Sequence, residues 1–131
     1  MENSFKVEIF SPEKIIFSDN SSMTTLPSYE GDMSILHSHI SIITFLRPGI
    51  IKIYKDEKNF EDFFAQDGTV EFFNNNLSIL SSSIINIKDV TKDFLENLDK
   101  ETQNKLTKNN LEDHDRYILN HKIDVIKNIR I

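Results

Sequence analysis

His37 and His39, with Asp32 a few residues upstream, are the densest group of chemistry-bearing side chains in this 131-residue chain. Two imidazoles at i and i+2 plus a carboxylate form part of a zinc ligand set, but a closed site needs four donors or three and a water. No third strong ligand is fixed nearby. The two rings share a face only if the segment is a regular strand. A surface or packing role is therefore expected for both histidines. The chain has no cysteine, which excludes thiol nucleophiles, disulfides and thiolate metal sites. Serine is common, yet no Gly-x-Ser-x-Gly elbow or Ser-His-Asp arrangement stands out. Three glycines are too few for a phosphate-cradling loop. Neither catalysis nor a cofactor is expected.

Charge and hydropathy narrow the classes further. The net charge is −6, against the basic footprint that nucleic-acid binding needs. No apolar run approaches the roughly 20 residues of a membrane-spanning helix. The start, MENSFKVEIF, lacks a basic region followed by an apolar stretch, so no signal or transit peptide is expected. The acidic excess lies entirely in residues 1–90, and residues 91–131 are neutral. That asymmetry suggests two unlike modules.

The elements that must position these residues fall into the same two modules. Phe5, Val7 and Ile9 alternate with Lys6, Glu8 and Phe10 at the period of a half-buried strand. Short strands are expected at Ile15–Ser18, Met23–Leu26 closed by Pro27, Ile40–Phe45, and around Ile51 and Ile53. Phe60–Ala65, Thr69–Phe73, Leu77–Leu80 and Ser83–Ile87 continue the series. Arg47-Pro48-Gly49 and Asn74–Asn76 read as turns, and Asp67-Gly68 as a hairpin signal. This spacing argues for an antiparallel β-sandwich or barrel. Phe63-Phe64 and Phe72-Phe73 cannot both point inward on a strand, so one of each pair must be exposed, covered by helices or pressed against a partner.

The period then becomes helical. Phe94, Leu95, Leu98, Thr102 and Leu106 form one stripe, with Thr91 as expected N-cap. Asn109-Asn110 ends it, and Asn110 is expected to cap a second helix with Leu111, Ile118, Val125 and Ile129 as its stripe, widened by Leu119, Ile123 and Ile126. A two- or three-residue turn would make an antiparallel hairpin. The expected division is 1–88 for the β-sandwich and 89–131 for the hairpin.

The order of motifs resembles the epsilon subunit of the F-type ATP synthase. Ser11–Ser18 is similar to the family's opening strand pair. Pro27, Glu30-Gly31-Asp32, Leu36 and His39 follow its loop, which usually reads Glu-Gly-acidic-x-Gly-x-x-Pro-Gly-His. Thr44, Leu46, Pro48, Gly49, Ile53, Phe63-Phe64, Gly68 and Leu77–Leu80 continue in order. Ser34 stands where the family has Gly, and His37-Ser38 replaces its Pro-Gly. Past Val90 the resemblance is one of layout.

The resemblance implies a non-catalytic rotor subunit of the central stalk. Its sandwich would dock the gamma subunit to the membrane rotor ring and couple proton flow to ATP synthesis. Glu30, Asp32 and His39 occupy the ring-contact positions. The hairpin would reach the catalytic alpha and beta subunits when extended. Some family members bind ATP through Ile/Leu-Asp-x-x-Arg-Ala. Here Val90, Thr91, Phe94 and Leu95 align with its Ile/Leu, Asp, Arg and Ala, so the carboxylate and guanidinium are missing and no ATP site is expected. A neutral, Ala-free hairpin implies weak or absent inhibition of hydrolysis. The implied location is peripheral, on the cytoplasmic face of a bacterial inner membrane. The alternative is a free-standing β-sandwich adaptor with a helical appendage.

Overall fold

The computed structural model describes residues 3–129. Ten strands precede two helices: β1 (Phe5–Phe10), β2 (Ile15–Ser21), β3 (Met23–Ser28), β4 (Gly31–Leu36), β5 (Ile42–Leu46), β6 (Gly49–Tyr54), β7 (Phe60–Ala65), β8 (Gly68–Phe73), β9 (Asn76–Leu80), β10 (Ile85–Asn86), α1 (Lys92–Leu106) and α2 (Asp113–Asn128). The strands run in the order β10-β7-β6-β3-β5-β8-β9-β1-β2, with β4 paired to β3, and curl into a sandwich. The expected sandwich-plus-hairpin is present, but its pairing is not wholly antiparallel: β1 lies parallel to β9.

Alternation builds the core. Val7, Ile9, Leu26, Ile35, Ile51, Ile53, Phe63, Val70, Phe72, Leu77 and Ile79 meet between the two layers and are essentially inaccessible to water. β3 joins the layers. Its first half pairs with β6, and its last residue, Ser28, pairs with Leu46 of β5. The hydroxyls of Ser28 and Thr44 share a buried hydrogen bond of 2.9 Å at that crossing. Each buried polar group there has its partner, which burial demands.

Close backbone approach fixes two corners. A Cβ on Gly49 would stand 2.5 Å from Pro27 Cβ, so Gly49 is needed for space, and not for the permissive φ that a turn would use. A Cβ on Gly68 would come within 3.0 Å of the Leu80 carbonyl oxygen and of Leu46 Cδ1. The hairpin expected at Asp67-Gly68 is absent, because β7 pairs with β6 and β8 with β5 and β9. The chain there crosses from one layer to the other. Asn74 and Asn75, with φ of 52° and 58°, make the two-residue turn between β8 and β9, the primed type that matches strand twist.

The hairpin packs on the outer face of the layer containing β10, β7, β6 and β3. Phe64, fully buried, joins Val90, Leu95, Leu98 and Ile126 in a second cluster with Ile50 and Ile85 beside it. Residues of the first half of α1 and the last half of α2 share that cluster, so the helices run antiparallel. Thr91 caps α1, its hydroxyl accepting from the Phe94 N–H at 3.1 Å. Asn110 does not cap α2. The helix starts after Glu112 with no capping side chain, and Asp113 and Asp115 occupy its first turn, where the helix dipole favours carboxylates. Leu111 therefore precedes α2, and the buried stripe centres on Lys122, Ile123 and Ile126.

Candidate functional site

The stretch expected as a docking loop, Glu30 to His39, is mostly strand. β4 occupies Gly31–Leu36 and pairs with β3 through six residues, Met33 and Ile35 facing the core. Sequence reading missed this strand. The alternation of Asp32, Ser34 and Leu36 with Met33 and Ile35 was the available signal. Six residues at roughly 3.4 Å each separate the ends of β4 by about 20 Å. Glu30 and His39 thus lie at opposite ends of the sandwich.

Glu30 lies exposed in the Tyr29-Glu30 turn between β3 and β4, its N–H donating to Ser28 Oγ at 3.2 Å. The Ser11–Lys14, Leu46–Gly49, Gln66-Asp67 and Ser81–Ser83 corners share that end by the strand directions. Asp32 points outward on β4 and is 82% exposed. Arg47 Nη2 donates to its Oδ1 at 3.3 Å, and Arg47 Nη1 donates to Tyr117 of α2 at 2.9 Å. His39 sits at the far end, half-buried, its ring edge-on to Phe72 with centroids 5.9 Å apart. His37 is exposed. Among the described residues no group of three or more His, Asp or Glu is arranged to hold a metal ion.

The Leu36-His37-Ser38-His39 turn keeps a glycine-type backbone without a glycine. Ser38 has φ of 63°, and the His39 N–H donates to the Leu36 carbonyl at 3.1 Å. A positive φ at the third turn residue is the signature of the type II turn, which Pro-Gly favours. The Ser38 N–H donates to Asn75 Oδ1 at 2.7 Å, which ties this turn to the β8–β9 turn.

The two outer faces of the sandwich differ. Helices cover one. The other, on β5, β8 and β9, exposes Ile43 (67%), Phe45 (55%), Phe73 (63%) and Leu80 (52%). Register places Phe45, Thr69 and Leu80 in one row and Ile43, Glu71 and Ser78 in the next. The phenylalanine pairs divide accordingly: Phe63 enters the core, Phe64 lies under the helices, Phe72 is buried and Phe73 is exposed. The exposed Thr69 and Glu71 lie among these apolar side chains, so the face is mixed rather than uniformly apolar.

A groove of about 700 Å³ lies between α2 and the helix-bearing layer, lined by Pro27, Arg47, Ile50, Asp62, His121 and Asp124 among others. Asp62 Oδ1 and Arg47 Nε are buried there without a hydrogen-bond partner. Burial raises the Asp62 carboxyl above its ordinary value, opposed by the Lys52 ammonium 3.9 Å away. The mixed charge and the lack of a nucleophile–base pair offer no reaction chemistry. No helix among the described residues is long and apolar enough to cross a membrane.

Comparisons with known proteins agree with this geometry. A family model described as the ATP synthase delta/epsilon chain β-sandwich domain matches residues 4–87. The chain is 45% identical over 131 residues to the ATP synthase epsilon chain of Pelagibacter ubique, covering 98% of this chain and 99% of that one. It is 30% identical over 99 residues to the epsilon chain of Rickettsia bellii, covering 74% and 92%. A chain of the Euglena gracilis mitochondrial ATP synthase shares the fold at a TM-score of 0.72 and 13% identity, over 95% of this chain and 78% of that one. A chain of the Tetrahymena thermophila mitochondrial ATP synthase central stalk and c-ring does so at 0.64 and 20%, over 93% and 92%.

Proposed function

Since the chain belongs to the epsilon-chain family of ATP synthases, whose members are non-catalytic subunits, we propose that it is a rotor subunit of the central stalk, joining the gamma subunit to the membrane ring. The observation that carries this reading is the uncovered apolar face of Ile43, Phe45, Phe73 and Leu80. Its partner is the gamma subunit. A coupling element needs a wide, shape-matched contact and no reactive group, and buried apolar area supplies such contacts.

The ring contact belongs to the Glu30 end, with Asp32 beside it. Ion pairs there are exposed and contribute about 0–1 kcal/mol each, so they set register more than affinity. His39 lies at the other end, its ring against the buried Phe72, apart from this contact. Residues 1–88 form the docking module and 89–131 the hairpin. Proton flow turns the ring, and the two contacts carry that rotation toward the catalytic alpha and beta subunits. The complex holds this chain peripherally at the cytoplasmic face of the bacterial membrane.

The hairpin inhibits hydrolysis weakly or not at all. Its neutral charge provides little attraction for acidic catalytic loops, and no carboxylate–guanidinium pair stands at Thr91 and Phe94 to bind ATP. Two measurements test the proposal. Affinity purification of the tagged chain should recover the gamma subunit and ring; recovery of neither removes the rotor reading and leaves an adaptor. Deleting residues 91–131 should leave ATP hydrolysis by the assembled complex within about twofold, less than the tenfold that 1.4 kcal/mol of lost inhibitory contact would release. A several-fold rise would show that the hairpin inhibits.

A further inference from the structure

The two halves of the hairpin are held to the sandwich by different physics. The buried residues of α1 are Leu95, Leu98 and Thr102, and those of α2 are Lys122, Ile123 and Ile126. No residue from 103 to 121 is buried. This tip half nevertheless touches the sandwich twice. Tyr117 accepts a 2.9 Å hydrogen bond from Arg47 Nη1, and His114 meets the Tyr29 ring edge-on with centroids 5.7 Å apart.

Arg47 is prepared for that contact. It sits in the Leu46–Gly49 corner with its side chain only 16% exposed, and Asp32 accepts from its other terminal nitrogen, Nη2. The Tyr117 ring is stacked on His121, one turn along α2, at 6.2 Å and 16°. In the docked hairpin donor and acceptor are thus each held by a second contact.

We propose that Arg47, with Asp32 behind it, and Tyr29 form a clasp for the tip of the hairpin, so that the hairpin leaves the sandwich tip first while its base stays seated on Phe64. Arg47 acts as a positioning residue. Local opening begins where few apolar groups are buried. Release of a clasp of one hydrogen bond and one ring contact is therefore the first step of local opening of the tip, and its strength sets how often the tip is free.

The absence of native cysteine makes the test direct. Spin labels on Ser82→Cys and Lys108→Cys flank Tyr29 at exposed positions on the sandwich and the hairpin tip. Pulsed dipolar spectroscopy on the isolated full-length chain should give one short distance with a minor long one. Tyr117→Phe, which removes only the acceptor, should raise the long-distance fraction about two- to tenfold, the effect of one net hydrogen bond. Arg47→Gln should do at least as much, and the double variant no more than Arg47→Gln alone. Hydrogen exchange at Leu95 and Leu98 should stay protected, separating tip release from general unfolding. Unchanged distances in both single variants, or equal loss of protection at base and tip, would overturn the clasp. These readouts use the isolated chain, so their failure differs from failure to recover the gamma subunit and ring, which bears on the rotor reading.

Discussion

Ser38 carries a conformational cost that glycine would not. Its φ of 63° places Cβ against the following carbonyl, a strain of roughly 1–2 kcal/mol for an L-residue. The Asn75 side chain and the turn hydrogen bond hold it there. Ser38→Gly removes the strain but frees the unfolded chain, which takes back part of the gain. The expected net result is about 0.5–1 kcal/mol of added stability in urea unfolding. Asp62 offers a second test at this scale. Burial raises its folded-state pKa above the unfolded 3.8, so the ionised form disfavours folding at neutral pH. That penalty is lost as the pH falls through the raised value. Asp62→Asn should raise the melting temperature by about 2 °C at pH 7, with the gain vanishing as the pH approaches 3.8. A gain that grows in acid would contradict the assignment.

At the scale of elements, the adjacent phenylalanines of β7 separate the two modules. Phe63 and Phe64 are neighbours in sequence, yet one supports the sandwich core and the other the hairpin. Truncating a buried Phe costs about 3–5 kcal/mol. Phe64→Ala should expose the amides of α1 and α2 to hydrogen exchange while those of β1, β8 and β9 stay protected. Phe63→Ala should destabilise every strand together. Equal effects from the two variants would mean that the hairpin and sandwich unfold as one unit. The strands and both helices were largely legible because their apolar periods of two and 3.6 are strong. β4 was not, because Glu-Gly-Asp and the two histidines read as loop chemistry although Met33 and Ile35 alternate correctly. The layer crossing at Asp67-Gly68 was also hidden. A turn signal states that the chain bends, and pairing partners decide whether it bends into a hairpin.

For the whole molecule, the asymmetry of the two outer faces is the main functional feature. Helices cover one face, and the other exposes Ile43, Phe45, Phe73 and Leu80, the surface proposed above for the gamma subunit. Phe73→Glu places a charge at a 63% exposed position, where surface substitutions usually change stability by no more than about 0.5 kcal/mol. It should leave the melting temperature nearly unchanged yet lower recovery of the gamma subunit at least tenfold, since aromatic side chains buried on association contribute heavily to interfaces. Normal recovery would assign the face another role. The candidate site changed most at this scale: Glu30, Asp32 and His39 are close in sequence and form no single site.

The sequence by itself determined the class of the molecule: short alternating strands, then two amphipathic helices, no thiol, no nucleophile and a recognisable order of motifs. These follow from local periodicity and residue chemistry, which act over a few residues. Tertiary structure alone decided which residues share an end, which phenylalanine faces which layer, and that Arg47 reaches Tyr117 across 70 positions. Those facts depend on strand pairing and layer stacking between segments far apart in the chain. A strand of six residues was enough to set Glu30 and His39 at opposite ends of one element.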